Sequence, residues 1–131
     1  MKNKAAVVII FTAILAALAC GQGPVRPVPM LMNDIAIREA VYFRENGQYA
    51  DFDEIPEVRA DLTRIDEEGY TWFYSLEFKN DKIIGYKFQT WKDRDCDTGG
   101  QMSYFIQQKD ILRYRCSTDG SMANETDQKV E

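Results

Sequence analysis

From residue 70 the apolar residues recur with a period of two, and that alternation constrains the fold more than any other feature of the chain. Tyr70, Trp72, Tyr74, Leu76 and Phe78 alternate with Thr71, Phe73, Ser75 and Glu77. Successive side chains of a strand point to opposite faces, so this is a β-strand with one strongly apolar face. Lys79-Asn80-Asp81-Lys82 is a turn. Ile84, Tyr86, Phe88 and Thr90 then alternate with Ile83, Gly85, Lys87 and Gln89, which gives a second strand and a hairpin. Residues 93–101, DRDCDTGGQ, form a polar loop. Ser103–Gln107 and Ile111–Cys116 are a third and a fourth strand around Gln108-Lys109-Asp110. Residues 117–131 are polar and acidic with no apolar period, and are expected to be a disordered tail.

The segment before the strands has a helical period. In residues 31–46, Ala36, Ala40 and Phe43 share one face and Ile37 and Val41 the next, with Ile35 and Tyr42 a further step round. So wide an apolar band predicts a helix largely covered by other structure. Asn33 or Asp34 can cap its start, and Gly47 can take positive φ at its end. Phe52-Asp53-Glu54-Ile55 is expected to be one short helical turn ended by Pro56. Leu62 and Ile65 are expected to be buried anchors in a loop or a second short helix. The class is α+β, with one N-terminal helix packed on a four-stranded antiparallel sheet over residues 31–116.

Residues 5–20, AAVVIIFTAILAALAC, follow Lys2 and Lys4 as an uncharged apolar run that stops at a cysteine. A charged start, an apolar core of about 7–15 residues and a small-residue exit describe an export signal. The run is short against the roughly 20 residues of a membrane-crossing helix. Residues 1–19 are therefore expected to be a signal peptide and the rest of the chain to lie outside the cytoplasm, in the periplasm or at the cell surface. Cys20 then becomes the new N-terminus and the site of a lipid that holds the protein to a membrane. Ala17-Leu18-Ala19 also satisfies the pattern of ordinary signal cleavage, which leaves a freely secreted chain and an uncleaved anchor as alternatives. Residues 20–30, with Pro24, Pro27 and Pro29, form an extended tether of up to about 3 Å per residue.

Three cysteines in an exported chain leave one over. Cys96 and Cys116 can pair, because an oxidising compartment lets disulfides persist; two separate thiols are the alternative. Loss of Lys2 and Lys4 leaves 14 basic against 21 acidic residues, a net charge of −7. Such a balance argues against nucleic acid, whose phosphates need a basic face, and against electrostatic docking on anionic lipid. The chain has no histidine, which removes the commonest general base and the commonest transition-metal ligand. No catalytic constellation stands out: Ser75, Ser103, Ser117 and Ser121 have no histidine to activate them, and Glu39 and Glu45 are placed on a helix surface without pairing. The chain is not expected to be an enzyme or to need a cofactor.

Three segments, in order, resemble the head domain of type IV pilins and type II secretion pseudopilins. IREAVYFRENGQYADFDEI, with Tyr42, Gly47, Tyr49, Phe52 and Ile55, is similar to the end of the long pilin helix and the turn after it. Gly69-Tyr70-Thr71-Trp72-Phe73-Tyr74 is similar to the strand that opens the head sheet. Tyr104-Phe105-Ile106 with Ile111-Leu112-Arg113-Tyr114 looks like the final hairpin, although Lys109-Asp110 stands where a glycine turn is usual. The pilin leader and its glutamate are absent: nothing acidic precedes Asp34, and the prolines interrupt any continuous stem helix. The resemblance thus implies a pilin head without its stem. It implies a non-enzymatic envelope lipoprotein that contacts other pilin-like or envelope proteins, as a head subunit or chaperone for a separately encoded short pilin. A periplasmic module that binds a small ligand on its aromatic sheet face is the alternative.

A few further residues mark candidate surfaces. Arg113 and Arg115 share one face of the last strand and are either solvated or a docking patch for an acidic partner. Trp91 has the opposite parity from Phe88 and is a candidate contact residue, whereas Trp72, Tyr74, Tyr86 and Phe88 are expected in the core. Asp93, Asp95 and Asp97 begin like a calcium loop but have Thr98 and Tyr104 where glycine and glutamate belong, so a solvated acidic turn is the expectation and no metal site is assigned.

Overall fold

The computed structural model describes residues 26–130. The leader, Cys20 and most of the tether lie outside the described residues. Helix α1 runs Val28–Asn46, starting earlier than its period alone indicates. Pro27 is the N-cap and Pro29 lies in the first turn, where a missing N–H is one that the helix leaves unpaired anyway. The last residues of the expected tether are therefore helical. Asn33 and Asp34 are not caps; Asp34 instead pairs with Arg26 at 2.7 Å. At the far end Gly47 adopts φ 73° and its N–H donates to the Phe43 carbonyl at 2.8 Å. The helix buries Val28, Leu31, Met32, Ile35 and Glu39. The wide apolar band is not covered all round, because Ile37 and Val41 remain exposed.

Phe52–Glu54 forms a single 3-10 turn. Pro56 does not end it into a loop but opens a second helix, α2, Pro56–Glu67. Val58, Leu62 and Ile65 recur at helical spacing on its buried side. The fold thus has two helices rather than one: the second short helix around Leu62 and Ile65 is α2, and Pro56 starts it instead of closing the turn before it.

Five strands follow: β1 Thr71–Lys79, β2 Lys82–Lys92, β3 Gln101–Gln107, β4 Arg113–Ser117 and β5 Gln128–Lys129. They form an antiparallel meander in chain order. Asn80 and Asp81 take φ 52° and 65°, the two positive values of the hairpin turn whose twist matches its strands. The β1–β2 register shifts between Glu77 and Phe78, so Ile84 is the extra residue. The shift turns Ile84 outward and Ile83 into the core, the reverse of strict alternation.

Both helices lie on the face that carries Trp72, Tyr74, Tyr86, Phe88 and Ile106. Phe52 is central there. Its ring stacks on Tyr74 at 4.4 Å and meets Tyr86 and Phe88 edge-on at 5.5 and 5.2 Å.

The C-terminal residues are not a disordered tail. Gln128 pairs with Tyr114 and Lys129 with Arg113, and the Val130 N–H donates to the Leu112 carbonyl at 2.8 Å. Ahead of β5 the chain crosses the outer sheet face, where Ala123 is fully buried and its N–H donates to Ser103 Oγ at 2.8 Å. Hydrogen bonds and ion pairs order this strap, so no apolar period announces it.

Candidate functional site

A groove of about 580 Å³ runs along one flank of α1. Ala36, Ile37, Ala40 and Phe43 supply its helical wall; Tyr49, Tyr86 and Ile106 supply the opposite one. The wall residues from α1 repeat at three- and four-residue steps, so the helix presents a continuous strip. Tyr49 packs between its neighbours: its ring lies 4.6 Å from Phe43 and 5.3 Å, edge-on, from Tyr86. Lys109, from the β3–β4 turn, holds its ammonium 5.7 Å from the centre of the Phe43 ring at one end of the groove. On the other side of Ile37 a second hollow of about 290 Å³ is lined by Val41, Tyr42 and Ile55 and edged by Glu45 and Glu57. Ile37, 60 % exposed, is the ridge between the two. Short alanine walls, an aromatic floor and a protruding isoleucine suit an apolar helix or strip of another molecule. They do not place an acid, a base and a nucleophile around a reacting atom.

Glu39 lies on the core side of the same helix, fully buried. Its Oε1 accepts the Ala50 N–H at 2.8 Å, while Oε2 has no partner. Burial pushes its carboxyl up to about 7; the Ala50 N–H opposes this, and Asp51 and Glu54 add to it. It is not on the helix surface, where sequence reasoning placed it. The signal was present in the spacing Val28, Met32, Ile35, Glu39, a single stripe at the helical period. Asp61 of α2 is the other buried carboxylate, with Arg38 4.0 Å away; burial raises its pKa, as does Asp34, against the pull of Arg38.

The remaining candidates separate. Arg113 and Arg115 face the same side of β4, and both are occupied within the chain. Arg115 holds Asp127 at 3.1 Å, and Arg113 donates to the Asp127 carbonyl at 2.9 Å and pairs with Asp110 at 3.3 Å. The Ile111 N–H first, then Gln107 and Arg113, keep the Asp110 carboxyl below its ordinary range. Trp91 stands half-buried on the outer face between Thr71 and Ser103. Asp93 accepts from Gln101, and Asp95 accepts from the Tyr70 hydroxyl and faces Lys92. Among the described residues no three His, Cys, Asp or Glu side chains converge as metal ligands. Cys96 and Cys116 are bonded, joining the β2–β3 loop to β4. The aromatic sheet face that a small ligand would need is packed under the helices, with Phe52 and Phe88 fully buried.

The sequence matches no family model, and neither a curated protein nor a solved structure is significantly similar to it.

Proposed function

We propose that this chain is a non-enzymatic, pilin-like envelope protein that works by docking on an apolar helix of another protein. The helix we infer is that of a short pilin which has a stem and no head. The observation that carries the reading is the exposed apolar ridge of Ile37 and Val41 with a groove on each side. Exposed apolar patches with polar rims mark contact surfaces rather than ordinary solvent-facing helix. The helix-on-meander architecture and the disulfide near the last hairpin are compatible with a pilin head. The lipid on Cys20 and the tether would hold this head at a membrane.

The test is co-expression with a short, very apolar pilin and extraction in mild detergent. The two should co-purify, and a photo-crosslinker at position 41 should capture the pilin helix. Ile37→Asp should abolish both, with the crosslinker still at position 41, while leaving thermal unfolding unchanged. Recovery of a monomer alone, with no crosslink, would sink the reading.

A further inference from the structure

Antiparallel strands reverse at alternate ends of a meander, so the β1–β2 and β3–β4 turns share one end of the sheet. Gln108 of the second turn accepts the Tyr86 N–H at 2.8 Å, which ties that turn to β2 beside the first. This end displays three apolar side chains: Phe78 is 62 % exposed, Ile84 38 % and Ile111 49 %. Around them stand Lys79, Lys82, Lys87 and Lys109, all exposed. None of the four makes an ion pair among the described residues. The acids nearby are Glu77 and Asp81, together with Asp110, which Arg113 already holds.

The opposite end has the opposite character. Asp66, Glu67 and Glu68 close α2 there, and Asp93, Asp95 and Asp97 lie in the β2–β3 loop. Hydrogen bonds from Trp72 to Asp66 and from Lys92 to the Glu68 carbonyl join these two groups at that end. With Asp110 held by Arg113, the four lysines of the tip face Glu77 and Asp81, which leaves a local excess of two positive charges beside the apolar side chains.

We propose that this tip docks on the anionic surface of a lipid bilayer. Phe78, Ile84 and Ile111 enter the headgroup region while the four lysines meet lipid phosphates. Lipid fits better than a folded partner, because Phe78 and Ile84 flank opposite faces of a hairpin that runs on beyond β3, whose pairing with β2 ends at Lys87. The net charge does not oppose this contact. Screening limits each charge to about 8 Å, and a nine-residue strand separates the two ends by about 30 Å. Of the docking residues, only Lys109 is shared with the groove beside α1.

The full chain carrying Phe78→Trp, or separately Ile111→Trp, is mixed with vesicles of phosphatidylcholine alone or with phosphatidylglycerol, with and without brominated acyl chains. The signal of the added tryptophan over wild type reports the tip alone, which separates it from binding by the apolar residues 5–19. The expected result is a blue shift and bromine quenching on phosphatidylglycerol vesicles only. Both should be lost several-fold in high salt and in K79Q/K82Q/K87Q/K109Q. An added tryptophan that keeps its aqueous emission while the chain sediments with vesicles would overturn the proposal. So would a blue shift that needs no vesicles and grows with protein concentration, since a second copy would then cover the tip.

Discussion

Glu39 is where burial and charge conflict most in this protein. Its carboxyl sits in the core with one oxygen satisfied by Ala50 and the other by nothing. Folding raises its pKa from an ordinary 4.5 to about 7, so the folded state holds a proton that the unfolded chain has lost between those values. Stability must then be fully supported below the lower value and fall as pH rises through the upper one. Glu39→Gln keeps an acceptor for the Ala50 N–H and removes the titration. Urea midpoints at pH 5 and pH 8 should show the wild type losing about 1 to 3 kcal/mol more than the variant over that interval. Equal losses would mean that Glu39 stays hydrated. Phe52 is the complementary case, a fully buried ring in contact with three aromatics. Phe52→Ala should cost about 3–5 kcal/mol, read from the urea midpoint at constant slope.

The strap and β5 show what an element can be without an apolar period. Only two residues of β5 enter the ladder. Its order comes from Asp127, whose carboxylate takes Arg115 at 3.1 Å and the Asn124 N–H at 2.7 Å, and from Ala123 of the strap, whose N–H is held by Ser103 of the sheet. Asp127→Ala removes several of these at once and should cost about 1–2 kcal/mol locally. Hydrogen exchange should quicken at Ala123 and Val130 and stay unchanged in the β1–β2 ladder. Uniform acceleration would show that the strap is part of the global unfolding unit instead. This element also marks the limit of what the sequence made legible. Strands β1 to β4 and the body of α1 follow from periods of 2 and 3.6. The start of α1, the start of α2 and the strap depend on prolines at helix starts and on long-range polar pairing, which periodicity does not detect, although Leu62 and Ile65 mark the buried side of α2. The groove was half visible: Ala36, Ala40 and Phe43 share a face in the sequence, but only the path of the chain over the sheet leaves that face open.

At the scale of the whole molecule the meander brings every strand next to its predecessor, so no strand pairing depends on a distant crossover. The Cys96–Cys116 bond is the one covalent tie across this order, and it closes a loop with a sequence separation of 20 around β3 and β4. The two strands already pair from Gln101↔Ser117 to Phe105↔Arg113 without it. Around Cys96 the backbone also holds itself, with Cys96 and Gly100 sharing a 3.1 Å hydrogen bond and Gly99 returning to Cys96 at 2.8 Å. Gly100 fits so closely on β4 that an added Cβ would lie 2.5 Å from the Ser117 carbonyl. Native contacts at this end are therefore dense without the sulfur bridge, and its main effect should fall on the unfolded chain, whose entropy it restricts. Replacing both cysteines by serine should leave the fold intact and lower stability by about 3 kcal/mol. The loss should appear chiefly as a shift in the urea midpoint. Hydrogen exchange should quicken in residues 93–100 ahead of the rest, while the lysine-rich tip at the other end keeps its protection. If the serine variant instead loses the β3–β4 ladder, the bridge holds the native pairing itself, and the hydrogen bonds of this loop are too weak to carry it.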